Sequence, residues 1–262
     1  MLSVRNLHVQ FPTRDREAVR GVSFEVEDGE ILGLVGESGS GKTVTAMSVA
    51  GLLDGCRRSG EIFLDGAALP TGRELRSVQG RDIGVVFQDP LSSMDPLMRV
   101  GEQVEEVLRL HTNLKRRERR RRCLEAMAAV ELPDPERVYR AWPHELSGGM
   151  RQRAMIAAAV IIRPRLLLLD EPTTALDVTV QAQILELLRR LNREDGLTML
   201  FISHDLRLVR KLCNRVAVMK EGEIVEFGDT EAVYRQPRHP YTRRLIDAIP
   251  RRREGMRQED SA

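Results

Sequence analysis

Three stretches of this chain hold residue types that could do phosphate chemistry. The first, "GESGSGKT", residues 36 to 43, fits the pattern GxxxxGK[ST] in full. Gly36, Gly39 and Gly41 let a loop wrap a polyphosphate with its N–H groups turned inward, and Glu37, Ser38 and Ser40 ride on that loop. Lys42 can reach β- and γ-phosphates, and Thr43 offers a hydroxyl to Mg²⁺. The second, "LLLLDEP", puts two carboxylates side by side after an apolar run. Successive residues leaving a strand point different ways. Asp170 can therefore sit in a magnesium shell, where one carboxylate plus water and phosphate oxygens suffices. Glu171 then faces an attacking water as general base. The third, "PHELSGGMRQR", bares Ser147, Gly148 and Gly149 at the start of a helical pattern, which is a second phosphate cradle.

Two single residues join them. Gln88 closes the run "DIGVVFQ", where it can touch magnesium or water, or simply end a strand. His204 lies in "FISHD", at a strand end where α/β sites gather, and its imidazole could contact a γ-phosphate. Phe11 has two readings, stacking on adenine or packing in the core.

The elements that must hold these groups read as an α/β order. "LSVRNLHVQF" and "GVSFEVEDGE" alternate like strands, with a turn at Asp28 and Gly29. "ILGLV" feeds the glycine loop, and "VTAMSVAGLL" continues as helix. "GEIFLDG" and "DIGVVFQ" are further strands. Helical patterns then dominate from about Val100 to Ile162, broken by Pro133, Pro135 and Pro143. "LLLLD" reads as a central parallel strand covered on both faces. A helix, a strand, a helix and a hairpin turning at Glu221 and Gly222 follow, then a tail rich in Pro and Arg. The order is an α/β core, a helical insertion, and the core resumed.

Composition narrows the class. The 262 residues are 42% hydrophobic, enough for a substantial core, and the formal charge of +2 gives no large basic surface for nucleic acid. Three scattered cysteines lack the spacing of a zinc site or disulfide framework and fit a reducing compartment. The start shows no secretory signal, and no apolar run nears the ~20 residues that cross a bilayer. The run "KRRERRRR", 115 to 122, points its arginines around a helix axis without interleaved aromatics. It reads as a solvated helix, with contact to anionic lipid headgroups as the alternative.

The glycine loop, Gln88, "ELSGGMRQR", "LLLLDEP", "ALD" (175–177) and His204 stand in the order and spacing of ABC-type ATPases, which the chain resembles over nearly its whole length. The resemblance implies ATP and Mg²⁺ as ligands. It also implies an α/β RecA-like P-loop ATPase core with an antiparallel β-subdomain. A helical subdomain at about 91–163 would be inserted in an ATPase domain of 1–235, followed by a short tail, 236–262. Such domains dimerise head to tail. Ser147, Gly148 and Gly149 would then hold the γ-phosphate of ATP on the other subunit, and Asp177 resembles the residue that links the two sites. Met150 stands where the common signature has Gln, which leaves the backbone donors unaffected.

Within that superfamily, "VVFQDPLSSMDP", "PHELSGGMRQR", "DEPTTALDVTVQAQIL" and "RHPYTRRLIDAIP" look like the bacterial peptide/nickel importers. That resemblance implies a peripheral subunit on the cytoplasmic face of the inner membrane. Its implied partners are two integral-membrane permeases, a second ABC ATPase and, indirectly, an extracytoplasmic solute-binding protein. The cargo would be di- or oligopeptides, or nickel and metal chelates. Longer members carry a cysteine-ligated iron–sulfur cluster; with no Cys after Cys213, no cluster is expected, which tilts the expectation toward the shorter, metal-transporting members. A soluble ABC ATPase acting on nucleic acid is the competing class, disfavoured by the short span from Thr43 to Leu146 and the single ATPase domain.

Overall fold

The computed structural model describes residues 1–13, 16–70, 72–174 and 176–249. Strands β1 (Leu2–Gln10) and β2 (Val19–Val26) pair antiparallel, and β3 (Ile31–Val35) leads through the glycine loop into α1 (Lys42–Ala50). That helix stops earlier than its apolar pattern suggests. Gly51 takes a φ of 67° and returns its N–H to the last turn, which ends the helix. Strands β4 (Arg57–Leu64) and β5 (Ala67–Ala68) complete an antiparallel sheet in the order β2-β1-β4-β5. Strand β6 (Ile83–Val86) closes the first half of the core, two residues before Gln88.

Five helices follow: α2 (Pro90–Ser93), α3 (Val100–His111), α4 (Arg116–Ala129), α5 (Pro135–Arg140) and α6 (Gly148–Val160). The core resumes with β7 (Leu166–Asp170), α7 (Val178–Asp195), β8 (Thr198–Ser203), α8 (Leu206–Leu212), β9 (Arg215–Lys220) and β10 (Glu223–Asp229). Helices α9 (Thr230–Arg235) and α10 (Pro240–Asp247) end the described chain; residues 250–262 of the tail lie outside it.

The six-stranded sheet runs β10-β9-β3-β8-β7-β6, parallel except at β10. Its central strands show why the apolar runs do not alternate. Leu166 and Leu168 face the antiparallel sheet and α1, while Leu167 and Leu169 face the helical side, and all four are fully buried. Burying both faces stabilises the strand by about 1.5–3 kcal/mol per leucine.

The helical insertion is tied to the core by charge as well as packing. Glu131, just past α4, accepts from Arg153 of α6 at 3.0 Å and from Arg190 of α7. Four arginines of α4 find carboxylates too. Arg119 pairs with Glu105 at 2.9 Å, Arg120 with Glu136, Arg121 with Glu118 and Glu125, and Arg122 with Glu118. Much of the positive charge of the run is thus offset by carboxylates of α3, α4 and α5. No helix among the described residues is long and apolar enough to cross a membrane.

Candidate functional site

The register of the parallel sheet brings the chemistry to one edge. Val86 pairs with Leu169, Asp170 with Ile202, and Val35 with Ser203. Gln88, Glu171, His204 and Gly36 are therefore each the first or second residue beyond a paired strand end. In open α/β sheets this carboxyl edge is where ligands bind. Here it opens on a cavity of about 670 Å³ lined by the glycine loop, Thr43, Gln88, Glu171, Thr174 and His204, among others.

The loop is built to be approached closely. Gly41 has a φ of 105°, and a Cβ there would lie 2.5 Å from the carbonyl oxygen of Ala18. A Cβ on Gly36 would lie 2.1 Å from the carbonyl of Met219. Only glycine fits either place. The back of the loop is braced by the β9–β10 turn, where Gly222 N–H donates to the Ser40 carbonyl at 2.9 Å. Lys42 folds over the loop, its Nζ donating to the carbonyls of Gly36 at 2.8 Å and Glu37 at 2.9 Å. Burial lowers the Lys42 pKa, and the charges of Glu171 and Asp170 push back. A bound polyphosphate would add to that push. The start of α1, from Lys42 to Val44, lines the same cavity, where N-terminal amides suit an anion.

Thr43 and Asp170 meet across 127 positions of sequence, the Thr43 hydroxyl donating to Asp170 Oδ1 at 3.0 Å. Burial raises the Asp170 pKa, opposed by that hydrogen bond and by Lys42. Among the described residues no group of three or more His, Cys, Asp or Glu could hold a metal by itself. A hydroxyl, one carboxylate and a phosphate cavity suit Mg²⁺, which keeps waters and takes phosphate oxygens. Both ligands thus fit the donor set.

Glu171 is the convergence point. Its Oε2 receives Gln88 Nε2 at 3.3 Å and the Thr174 hydroxyl at 2.9 Å, and lies 2.9 Å from His204 Nδ1. Its backbone sits at φ 45°, a conformation non-glycine residues rarely adopt, held by its N–H donating to the Ile202 carbonyl at 3.0 Å. A carboxylate fixed by three side chains beside a phosphate cavity can orient and deprotonate a water.

The second cradle stands apart. Ser147 caps α6, accepting from Met150 N–H at 3.3 Å, and neither it nor Gly148 or Gly149 lines the cavity. Gly149 packs on α7, where a Cβ would meet Val180 at 2.6 Å. Asp177 caps that helix, accepting from Thr179 and Val180 N–H at 3.0 Å each; Ala175 of the same motif lies outside the described residues. Phe11 packs half-buried against the antiparallel-sheet core and is not among the cavity's lining residues.

Three neighbours of the site are not among the residues singled out from sequence. Thr174, at position i+3 from Glu171, could be suspected from "DEPTT". Tyr241 and Leu245 lie in the tail. The Tyr241 hydroxyl accepts from Glu37 N–H at 3.0 Å, and Leu245 lines the cavity.

Comparison with known proteins gives this geometry a family. Residues 19–174 match the ABC transporter family, and residues 225–261 match the oligopeptide/dipeptide transporter C-terminal region. The peptidoglycan transport ATP-binding protein YejF of Agrobacterium fabrum is 50% identical over 96% of this chain, which spans 47% of that protein. The oligopeptide transport ATP-binding protein OppD of Escherichia coli is 45% identical over 96% of this chain and 76% of its own length. The dimeric post-hydrolysis structure of the ATP-binding cassette MJ0796 bound to ADP and Pi is 30% identical. It matches with a TM-score of 0.79 over 88% of this chain and 99% of that one. With its RecA-like α/β core, antiparallel sheet and inserted helices, the chain belongs to the ABC transporter family as an ATP-binding, ATP-hydrolysing cassette.

Proposed function

We propose that this cassette powers uptake of di- or oligopeptides through a membrane permease. The observation that carries the cargo class is the oligopeptide/dipeptide-type C-terminal region joined to a complete ATPase core. Peptide-importer names among the relatives point the same way; they do not specifically indicate nickel, and they leave the nucleic-acid alternative without support. The working unit on this reading is a head-to-tail pair of cassettes, this chain with a copy or a related subunit. It sits on the cytoplasmic face of the membrane against two permease subunits fed by an external binding protein.

The chain's own groups divide the work. The loop amides and Lys42 hold the β- and γ-phosphates, and Thr43 and Asp170 would hold Mg²⁺, with Gln88 within reach. Mg²⁺, when bound, would supply positive charge that offsets the negative charge building on the phosphates during transfer. Glu171 takes a proton from the attacking water. His204 and Gln88 fix the carboxylate and face the γ-phosphate. Ser147, Gly148 and Gly149 reach the γ-phosphate of the opposite cassette, which explains a phosphate cradle outside its own chain's cavity.

Gentle solubilisation of membranes containing the tagged chain tests the assembly. Two permease proteins and a second cassette should copurify, and uptake of a labelled tripeptide should be competed by unlabelled peptides but not by Ni²⁺. Competition by Ni²⁺ and not by peptides would overturn the cargo.

A further inference from the structure

The tail beyond β10 reaches back to the phosphate loop, and its sequence shows how. Glu226 of β10 accepts from the N–H groups of Arg238 at 2.8 Å and His239 at 3.0 Å, which pins the start of the segment to the sheet. His239 then caps α10, its Nδ1 accepting from Tyr241 N–H at 3.2 Å, and Pro240 takes the first helical position, which needs no N–H donor. This sets Tyr241 on the inner face, only 2% exposed, with Lys220 Nζ 5.7 Å from its ring centre. Its hydroxyl receives the Glu37 N–H at 3.0 Å across 204 positions of sequence. One turn further on, Leu245 lines the cavity itself.

We propose that Tyr241 is a positioning residue of the ATP site, a hydroxyl clamp through which the C-terminal segment sets the phosphate loop. The inference rests on the ATP-site reading and adds a residue to it. Glu37 is the second residue of the loop, and its carbonyl receives Lys42 Nζ at 2.9 Å. Its N–H lies in one peptide plane with the Gly36 carbonyl and opposite to it, so turning that N–H outward to Tyr241 aims the Gly36 carbonyl at Lys42 Nζ, 2.8 Å away. The Glu37 carbonyl, in the next peptide unit, receives Ser40 N–H at 3.2 Å, so the hydrogen bond to Tyr241 sets one peptide plane that cradles the cation and adjoins the one that closes the turn of the loop. The clamp is therefore a link between two parts of the chain: a shift of α10 moves the loop that grips the phosphates.

Tyr241→Phe removes the hydroxyl and keeps the ring. In the full-length chain, the dissociation constant for a fluorescent ATP analogue should rise about three- to tenfold, the loss expected for one hydrogen bond. Hydrogen exchange should quicken at the amides of residues 36–41. In the assembled transporter KM for ATP should rise with kcat little changed. Val233→Ala, a buried change in neighbouring α9, serves as the structural control; it should lower the melting temperature without moving the ATP constant. Unchanged ATP affinity and loop exchange in Tyr241→Phe would overturn the clamp while leaving the ATP site intact. Equal loss of affinity in Val233→Ala would overturn it too, since general loosening would then suffice. Wild-type chain that bound no ATP would overturn the ATP-site reading, and the clamp with it.

Discussion

His204 Nδ1 lies 2.9 Å from Glu171 Oε2, although the two residues come from different strands and sit 33 positions apart. The pairing follows from the β7–β8 register, which sets each residue just past a strand end. It joins a base to a group that can face the γ-phosphate, and it makes the carboxylate's orientation depend on a neighbour.

Glu171→Gln should keep ATP binding and lose about 10²–10⁴-fold in hydrolysis, the range for removal of a general base. The amide still receives Thr174 on its oxygen, so the local geometry survives. A closed pair of cassettes should accumulate with ATP, visible as a doubled mass by light scattering. Steady-state hydrolysis at the wild-type level would refute the assignment.

Ser147→Arg separates the two cradles. Ser147 is exposed and outside the cavity, so ATP binding by the isolated chain should stay close to wild type. Closure and hydrolysis should both vanish, because on the proposed head-to-tail pairing the long cation would block the face that meets the partner. Equal loss of binding and hydrolysis in the monomer would place Ser147 in its own chain's site.

The loop glycines should differ in their tolerance. Gly41→Ala forces a Cβ to within 2.5 Å of a backbone carbonyl, which cannot swing away, and keeps a left-handed φ of 105°. ATP affinity should fall tenfold or more, at about 1–3 kcal/mol of strain. Gly39→Ala meets nothing within 4 Å and carries only the strain of φ 80°, so its loss should be smaller. Titration with the same ATP analogue reads both.

Acid should loosen the tie between the helical insertion and the core. The hydrogen bond from Arg190 holds the Glu131 carboxyl below its ordinary range, against a burial effect that raises it, and Arg153 helps. A folded pKa below the unfolded value means the tie is fully present above about pH 4.3 and is lost as pH falls through the folded pKa. Glu131 is half exposed, so the effect is modest. Glu131→Gln should lower the melting temperature by about 1–3 °C at pH 7. The gap from wild type should close toward pH 3, and a constant gap would count against the ionic tie.

The strand-end residues were legible because each stands in a local pattern: an apolar run of fixed length followed by a chemical group. Asp170, Glu171 and His204 could be named from that alone, with Lys42 named from the glycine-loop pattern, and the parallel register needed only to line the runs up. Tyr241 could not. Its partner is 204 residues away, and nothing in "HPYT" indicates a backbone amide as its target. Thr174 was hidden for a different reason, since a second threonine after a proline reads as turn chemistry. The end of β6 at Val86 shows the limit of apolar pattern for boundaries: Phe87 is apolar by type yet 41% exposed, because the chain has already left the sheet. Asp177 was read through resemblance as a link between sites. Its carboxylate also has a local task, capping an 18-residue helix.

The separation of Ser147 from the cavity that Lys42 lines has a kinetic corollary. If every turnover needs groups from two chains, catalysis by the free cassette is second order. Specific activity per milligram should then climb with protein concentration and fade on dilution, even at saturating ATP. Anchoring two cassettes side by side on a permease replaces that collision by a fixed local concentration. Membrane attachment would then switch the enzyme on as well as give it something to move.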